Sequence, residues 1–158
     1  MSVLIAYFSW TGNTKTVAEK IKDLLKNKHK VREVKIEPVK DLPYPLWLIL
    51  SFIPESRVKI ALTGEIGDPD CLFLGTPKWT FSCPPVNSFL DMLEWRGDVY
   101  LFITCGGFDE VRYANSLRNK IENLGLKVKD VLIIKRKLIQ EGRYGEIVSD
   151  FLKRNGFI

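Results

Sequence analysis

Three cysteines, Cys71, Cys83 and Cys105, are all that the 158 residues contain. An odd number at no metal-ligand spacing supports neither a disulfide framework nor a zinc site, so free thiols and no bound metal are expected. Also missing are the glycine-rich signatures G-x-x-x-x-G-K-[ST] and G-x-G-x-x-G, which sets aside a Walker loop and the dinucleotide-binding fingerprint. No internal repeat, linker or low-complexity segment breaks the chain. It opens on "MSVLIAYF", with no basic-led apolar leader and cleavage site, so a cytoplasmic location is expected. The uncharged, aromatic-rich run from Leu42 to Pro54 is broken by Pro43, Pro45 and Pro54. It falls short of the about 20 apolar residues that a transmembrane helix needs. The net charge of +5 is spread along the chain, with Lys and Arg interleaved among Asp and Glu, so no specific nucleic-acid binding is expected.

What is present is ample apolar material. At 46% apolar residues, a chain of this length builds one core, and residues 1–158 are expected to form a single domain. Nearly continuous apolar runs at 3–8, 70–76 and 98–105 suit strands buried on both faces. The runs at 31–39 and 128–135 carry interleaved charges, and the first of them a proline, as sheet edges do. Between them, apolar residues recur at helical spacing: Val17, Ile21 and Leu24; Val86, Phe89, Leu90 and Leu93; Leu117, Ile121 and Leu124; Ile147, Val148, Phe151 and Leu152. Strands alternating with such helices predict an α/β fold, a doubly wound five-stranded parallel sheet with helices on both faces. Residues 40–68 read as irregular.

Ligands of such sheets bind beyond the carboxyl ends of the strands, where the winding reverses. Three loops lie there. The first carries Ser9, Trp10, Thr11, Gly12, Asn13 and Thr14: hydroxyl and amide donors, a glycine free to take positive φ, and then a helix start. Backbone N–H groups and the helix dipole make that an anion site that needs no Lys or Arg, and a phosphate fits it. The alternative is a plain strand-to-helix turn capped by Thr11 or Thr14.

The stretch "YFSWTGNTKTVAEKI" resembles the phosphate loop and first helix of flavodoxins, with Tyr7, Ser9, Thr11, Gly12, Thr14, Ala18 and Ile21 in the pattern and Ala6 smaller than usual. The resemblance implies strand order 2-1-3-4-5 and FMN at the switch point between the first and third strands. It also implies that "GTPKWTFSCPPVNSFL", through Thr76, Pro77, Lys78, Trp79, Thr80 and Phe81, borders the flavin ring. Trp79 or Phe81 then forms an apolar wall, or else caps the core. "TCGGFDEVRY" resembles the third loop, where Cys105, Gly106, Gly107 and Phe108 flank the pyrimidine end; a glycine-rich exit turn is the alternative. Six residues separate Cys105 from Arg112, one more than a phosphatase loop takes. Cys83 and Cys105 are either redox-active or buried and inert.

With FMN carrying the redox chemistry, no catalytic base or nucleophile is required, and no catalytic residue is assigned. One-electron flavodoxins are typically acidic. This chain is basic, with Lys78 beside the expected ring site and Arg112 on the third loop, which favours an anionic reduced flavin. The resulting expectation is an FMN-dependent oxidoreductase moving electrons or hydride from a reduced donor such as NAD(P)H to a quinone or a partner protein. The alternatives are a one-electron shuttle, a protoporphyrinogen-oxidising flavoprotein, or a flavin-free binding domain on the same fold. Residues 42–54 are read either as a buried helix or as an exposed dimer contact, flavin lid or peripheral membrane patch.

Overall fold

A computed structural model describes residues 1–158. In chain order the elements are β1 (Ser2–Tyr7), α1 (Asn13–Leu25), β2 (Lys30–Pro38), α2 (Tyr44–Phe52), β3 (Ile60–Thr63) and β4 (Cys71–Pro77), followed by α3 (Pro84–Met92), β5 (Asp98–Cys105), α4 (Glu110–Asn123), β6 (Lys127–Lys135), α5 (Arg136–Gln140) and α6 (Gly145–Arg154). The sheet runs β3-β2-β1-β4-β5-β6. All neighbours are parallel except β3, which lies antiparallel on β2.

The expected five-stranded parallel sheet is therefore corrected to a mixed sheet of six. The extra strand sits inside residues 40–68, which read as irregular. Its four residues alternate half-buried and exposed, with Ile60 and Leu62 turned inward, too short a run to register as a periodic pattern. Its pairing with Lys35–Pro38 also removes β2 from the edge where its charges had placed it. The other edge is β6, as its interleaved charges indicated.

Strands β1, β4 and β5 are buried almost throughout, because helices cover both faces. On one face Leu4, Leu72, Leu74 and Leu101 pack against Val86, Phe89 and Leu90 of α3 and Leu117 and Ile121 of α4. On the other, Ile5, Phe73 and Phe102 pack against Val17, Ile21 and Leu25 of α1 and Val148, Phe151 and Leu152 of α6. Gly75 lets the layers close: a Cβ there would lie 2.2 Å from the Phe102 ring and 2.9 Å from the Tyr7 Cβ.

Helix α2 belongs to neither core. Only its Trp47 and Ser51 are buried, so residues 42–54 are not a buried second helix. The Phe81 and Ser82 N–H groups donate to the Ser51 carbonyl, at 2.8 and 3.2 Å, and moor α2 to the loop after β4. No helix of the chain is long and apolar enough to cross a membrane.

Candidate functional site

The loops after β1, β4 and β5 converge on a cleft of about 440 Å³ at the carboxyl end of the sheet. That volume falls within the roughly 300–1,000 Å³ of small-molecule sites. Of the residues expected from sequence, Trp10, Thr11, Asn13, Pro77, Lys78, Trp79, Cys105 and Gly106 line it. Thr104, Tyr44 from α2 and Arg136 from the start of α5 line it as well, and sequence reasoning assigned none of the three.

The β1 loop is shaped by Gly12, whose φ of 94° is left-handed and whose α-carbon faces open space. It stands at the start of α1, where its carbonyl accepts the Thr16 N–H at 3.0 Å. Neither Thr11 nor Thr14 caps the helix. Instead Ser9 Oγ accepts the Lys15 N–H at 3.1 Å, and Asn13 Nδ2 donates to Thr11 Oγ1 at 3.1 Å. The Asn13 and Thr14 N–H groups at the helix start have no protein partner, so the positive end of α1 faces the cleft region with free donors.

Thr14 itself is turned inward, 1% exposed, and its hydroxyl shares a hydrogen bond of 2.8 Å with Thr104 Oγ1. It positions the loop and offers a ligand only its N–H. Thr76 is likewise fully buried, donating from Oγ1 to the Pro77 carbonyl at 2.9 Å.

The apolar wall is more extensive than the sequence suggested. Trp79 packs edge-on against Phe8 and Trp10, with ring centroids 5.5 Å apart in each case, and lies 5.5 Å from Trp47. Trp10 stacks on Tyr44 at 5.6 Å, with the planes 11° apart. Thr80 lies in a side pocket of about 120 Å³ between these rings and α2, where its hydroxyl meets Ser51 Oγ at 3.1 Å.

Phe81 leaves this group. It points to the α4 side, packing on Phe52 at 6.0 Å and under the Arg112 guanidinium at 5.1 Å. Phe108 is 80% exposed, with Lys78 Nζ 5.6 Å from its ring, and lines no part of the cleft. Gly107, at φ 101°, turns the third loop over the Lys135 side chain rather than into the cleft. Arg112 is paired to Asp109 and donates to the Thr80 carbonyl, so it is not one of the cleft's cations. Lys78 and Arg136 are, and no carboxylate lines the cleft beside them.

The three thiols are buried. Burial pushes Cys71 and Cys83 up to about 12 and raises Cys105 too. Thiolate chemistry near neutral pH is correspondingly disfavoured. Behind β1, Tyr7 donates to Glu33 at 2.9 Å and Lys22 donates to the same carboxylate at 2.5 Å. Burial opposes ionisation of Glu33, but these two donors outweigh it and hold the carboxyl below its ordinary value.

No family model matches the chain. An uncharacterized protein of Archaeoglobus fulgidus is 38% identical over 150 residues, 94% of each chain. Among solved structures, a flavoprotein from Lactobacillus acidophilus NCFM in complex with FMN superposes with a TM-score of 0.68 at 24% identity, covering 89% of this chain and 97% of that one. A flavodoxin from the domain Archaea gives a TM-score of 0.53 at 18% identity over 97% and 99% of the two chains. By fold the chain is flavodoxin-like, and by sequence it belongs to one family with the Archaeoglobus fulgidus protein.

Proposed function

We propose that this protein is an FMN-dependent oxidoreductase that takes two electrons from a nicotinamide donor and delivers them to a quinone-like acceptor. One observation carries the reading: free N–H donors at the start of α1, an aromatic wall, and two cations with no opposing carboxylate all meet at one cleft. A ligand that satisfies all three is planar, aromatic and anionic, and FMN is such a molecule. The FMN bound by the Lactobacillus acidophilus flavoprotein of the same fold supports the choice.

When bound, FMN supplies hydride and electron transfer. The chain's own residues bind and tune. The Asn13 and Thr14 N–H groups, with the Thr11 and Asn13 side chains, take the phosphate. Trp79 and Trp10 cover the ring and exclude water, and the Gly106 N–H, which has no partner within the protein, is free for a ring-edge acceptor. Lys78 and Arg136 lower the energy of negative charge held in the cleft, which favours storing a pair of electrons over a single one.

The test is titration of the purified protein with FMN, followed by anaerobic addition of NADPH and a quinone. Tight binding with quenched tryptophan fluorescence is expected, with Trp79→Ala weakening it about 10-fold. Arg136→Ala should weaken it in a salt-dependent way. Failure to bind FMN overturns the cofactor; bound FMN that no nicotinamide donor reduces overturns the two-electron reaction.

A further inference from the structure

A helix that is apolar all round is normally buried. Helix α2 is apolar all round, yet Tyr44, Leu46, Leu48, Ile49, Phe52 and Ile53 each keep 41 to 60% of their surface exposed. The patch extends beyond the helix at both ends: Trp10, 42% exposed, stacks on Tyr44, and Phe81, 45% exposed, packs on Phe52. With four aromatic side chains of about 150–250 Å² and four aliphatic ones, each roughly half exposed, these residues present at most on the order of 800 Å². A typical monomer's largest apolar patch is about 300–600 Å². The larger figure matches the about 800 Å² that one partner contributes to a standard stable interface.

We infer that α2 is the contact face of a homodimer, packing against α2 of a second copy of this chain across a twofold axis. Charge decides the occupant. In a twofold contact every side chain near the axis meets its own copy, so any charge there repels itself. From Leu42 to Pro54 there is none. The flanks carry both signs, Lys40 beside Asp41 on one side and Glu55 beside Arg57 on the other, and Glu55 and Arg57 are already paired within the chain, with Lys120 and Asp91, so neither border presents one uncompensated sign to a second copy. An anionic membrane surface calls instead for Lys and Arg on the polar side of the helix and a uniformly basic border, and α2 has neither.

Trp10 and Tyr44 border both the cleft and the patch, yet dimerisation and flavin binding are separate events. Each can fail alone, because assembly is read by mass and FMN by absorbance. The experiment is sedimentation equilibrium on the full chain, with and without FMN, at concentrations up to about 100 µM. The expected species has twice the 18.2 kDa of one chain, with a dissociation constant of about 10 µM or tighter. In Ile49→Glu and Phe52→Glu the new charges face their own copies, so dissociation constants should rise at least about 100-fold. Circular dichroism and urea midpoints should stay those of the monomer, since both sites are exposed. A wild-type monomer at the highest concentration overturns the inference, as does a dimer that both variants leave intact. A monomer that instead co-sediments with phosphatidylserine vesicles overturns it in favour of a lipid surface.

Discussion

Thr14 Oγ1 and Thr104 Oγ1 share a 2.8 Å hydrogen bond beneath the cleft, and it joins the first turn of α1 to the end of β5. Both residues are buried, so each hydroxyl has given up water for the other. Thr14→Val or Thr104→Val leaves one hydroxyl unpaired and is expected to cost about 1–3 kcal/mol in urea unfolding. The double substitution should cost less than the two single ones added together. Strict additivity would show that the pair is not coupled.

Glu33 links pH to stability. Its carboxyl is held below the ordinary value, so its contribution is complete above the unfolded value of about 4.3 and is lost as pH falls through the lower folded value. Glu33→Gln should cost about 1 kcal/mol at pH 7, a modest figure because Lys22 is 44% exposed, and progressively less as pH falls through the folded value. Urea midpoints measured across that range check it; a difference that stays constant with pH refutes the ionic account.

The thiols should be silent. With Cys71 and Cys83 at about 12 and Cys105 raised, none should react with Ellman's reagent at pH 8 at the rate of a free cysteine, while three equivalents appear on denaturation. A thiol that titrates rapidly in the folded protein would return redox-active cysteine to the account of the site.

Gly75→Ala places a methyl group 2.2 Å from the Phe102 ring inside a closed layer, so one of the two must shift. A loss of about 1–3 kcal/mol is expected from the thermal or urea transition. A neutral substitution would mean that this layer is looser than its contacts imply.

The parts of the fold that sequence reveals are those governed by strong local signals. Three doubly buried strands are long apolar runs, and the loop from Ser9 to Thr14 carries its chemistry in consecutive residues. β3 escapes because four alternating residues are below the length at which a period is visible. A helix in residues 42–54 is one of the readings the sequence allows, but its exposure is not legible, because apolar residues on every side leave no polar face to mark the outward side. Tyr44 and Arg136 reach the cleft from α2 and from beyond the edge strand β6, and Arg136 sits in a Lys-Arg-Lys run that reads as solvated charge. Phe81 and Phe108 show the converse: an aromatic next to a site in sequence need not face it once the loop turns.

The two borders of the sheet bear on whether a foreign strand can add to it. On the edge strand β6 two main-chain groups are engaged by side chains: Asp130 accepts the Val131 N–H at 2.8 Å, and Arg118 donates to the Val128 carbonyl at 3.2 Å. At the opposite margin β3 offers only four residues. The interleaved charges of β6 and the shortness of β3 both discourage a foreign strand from adding at these borders, which works against lateral growth into aggregates.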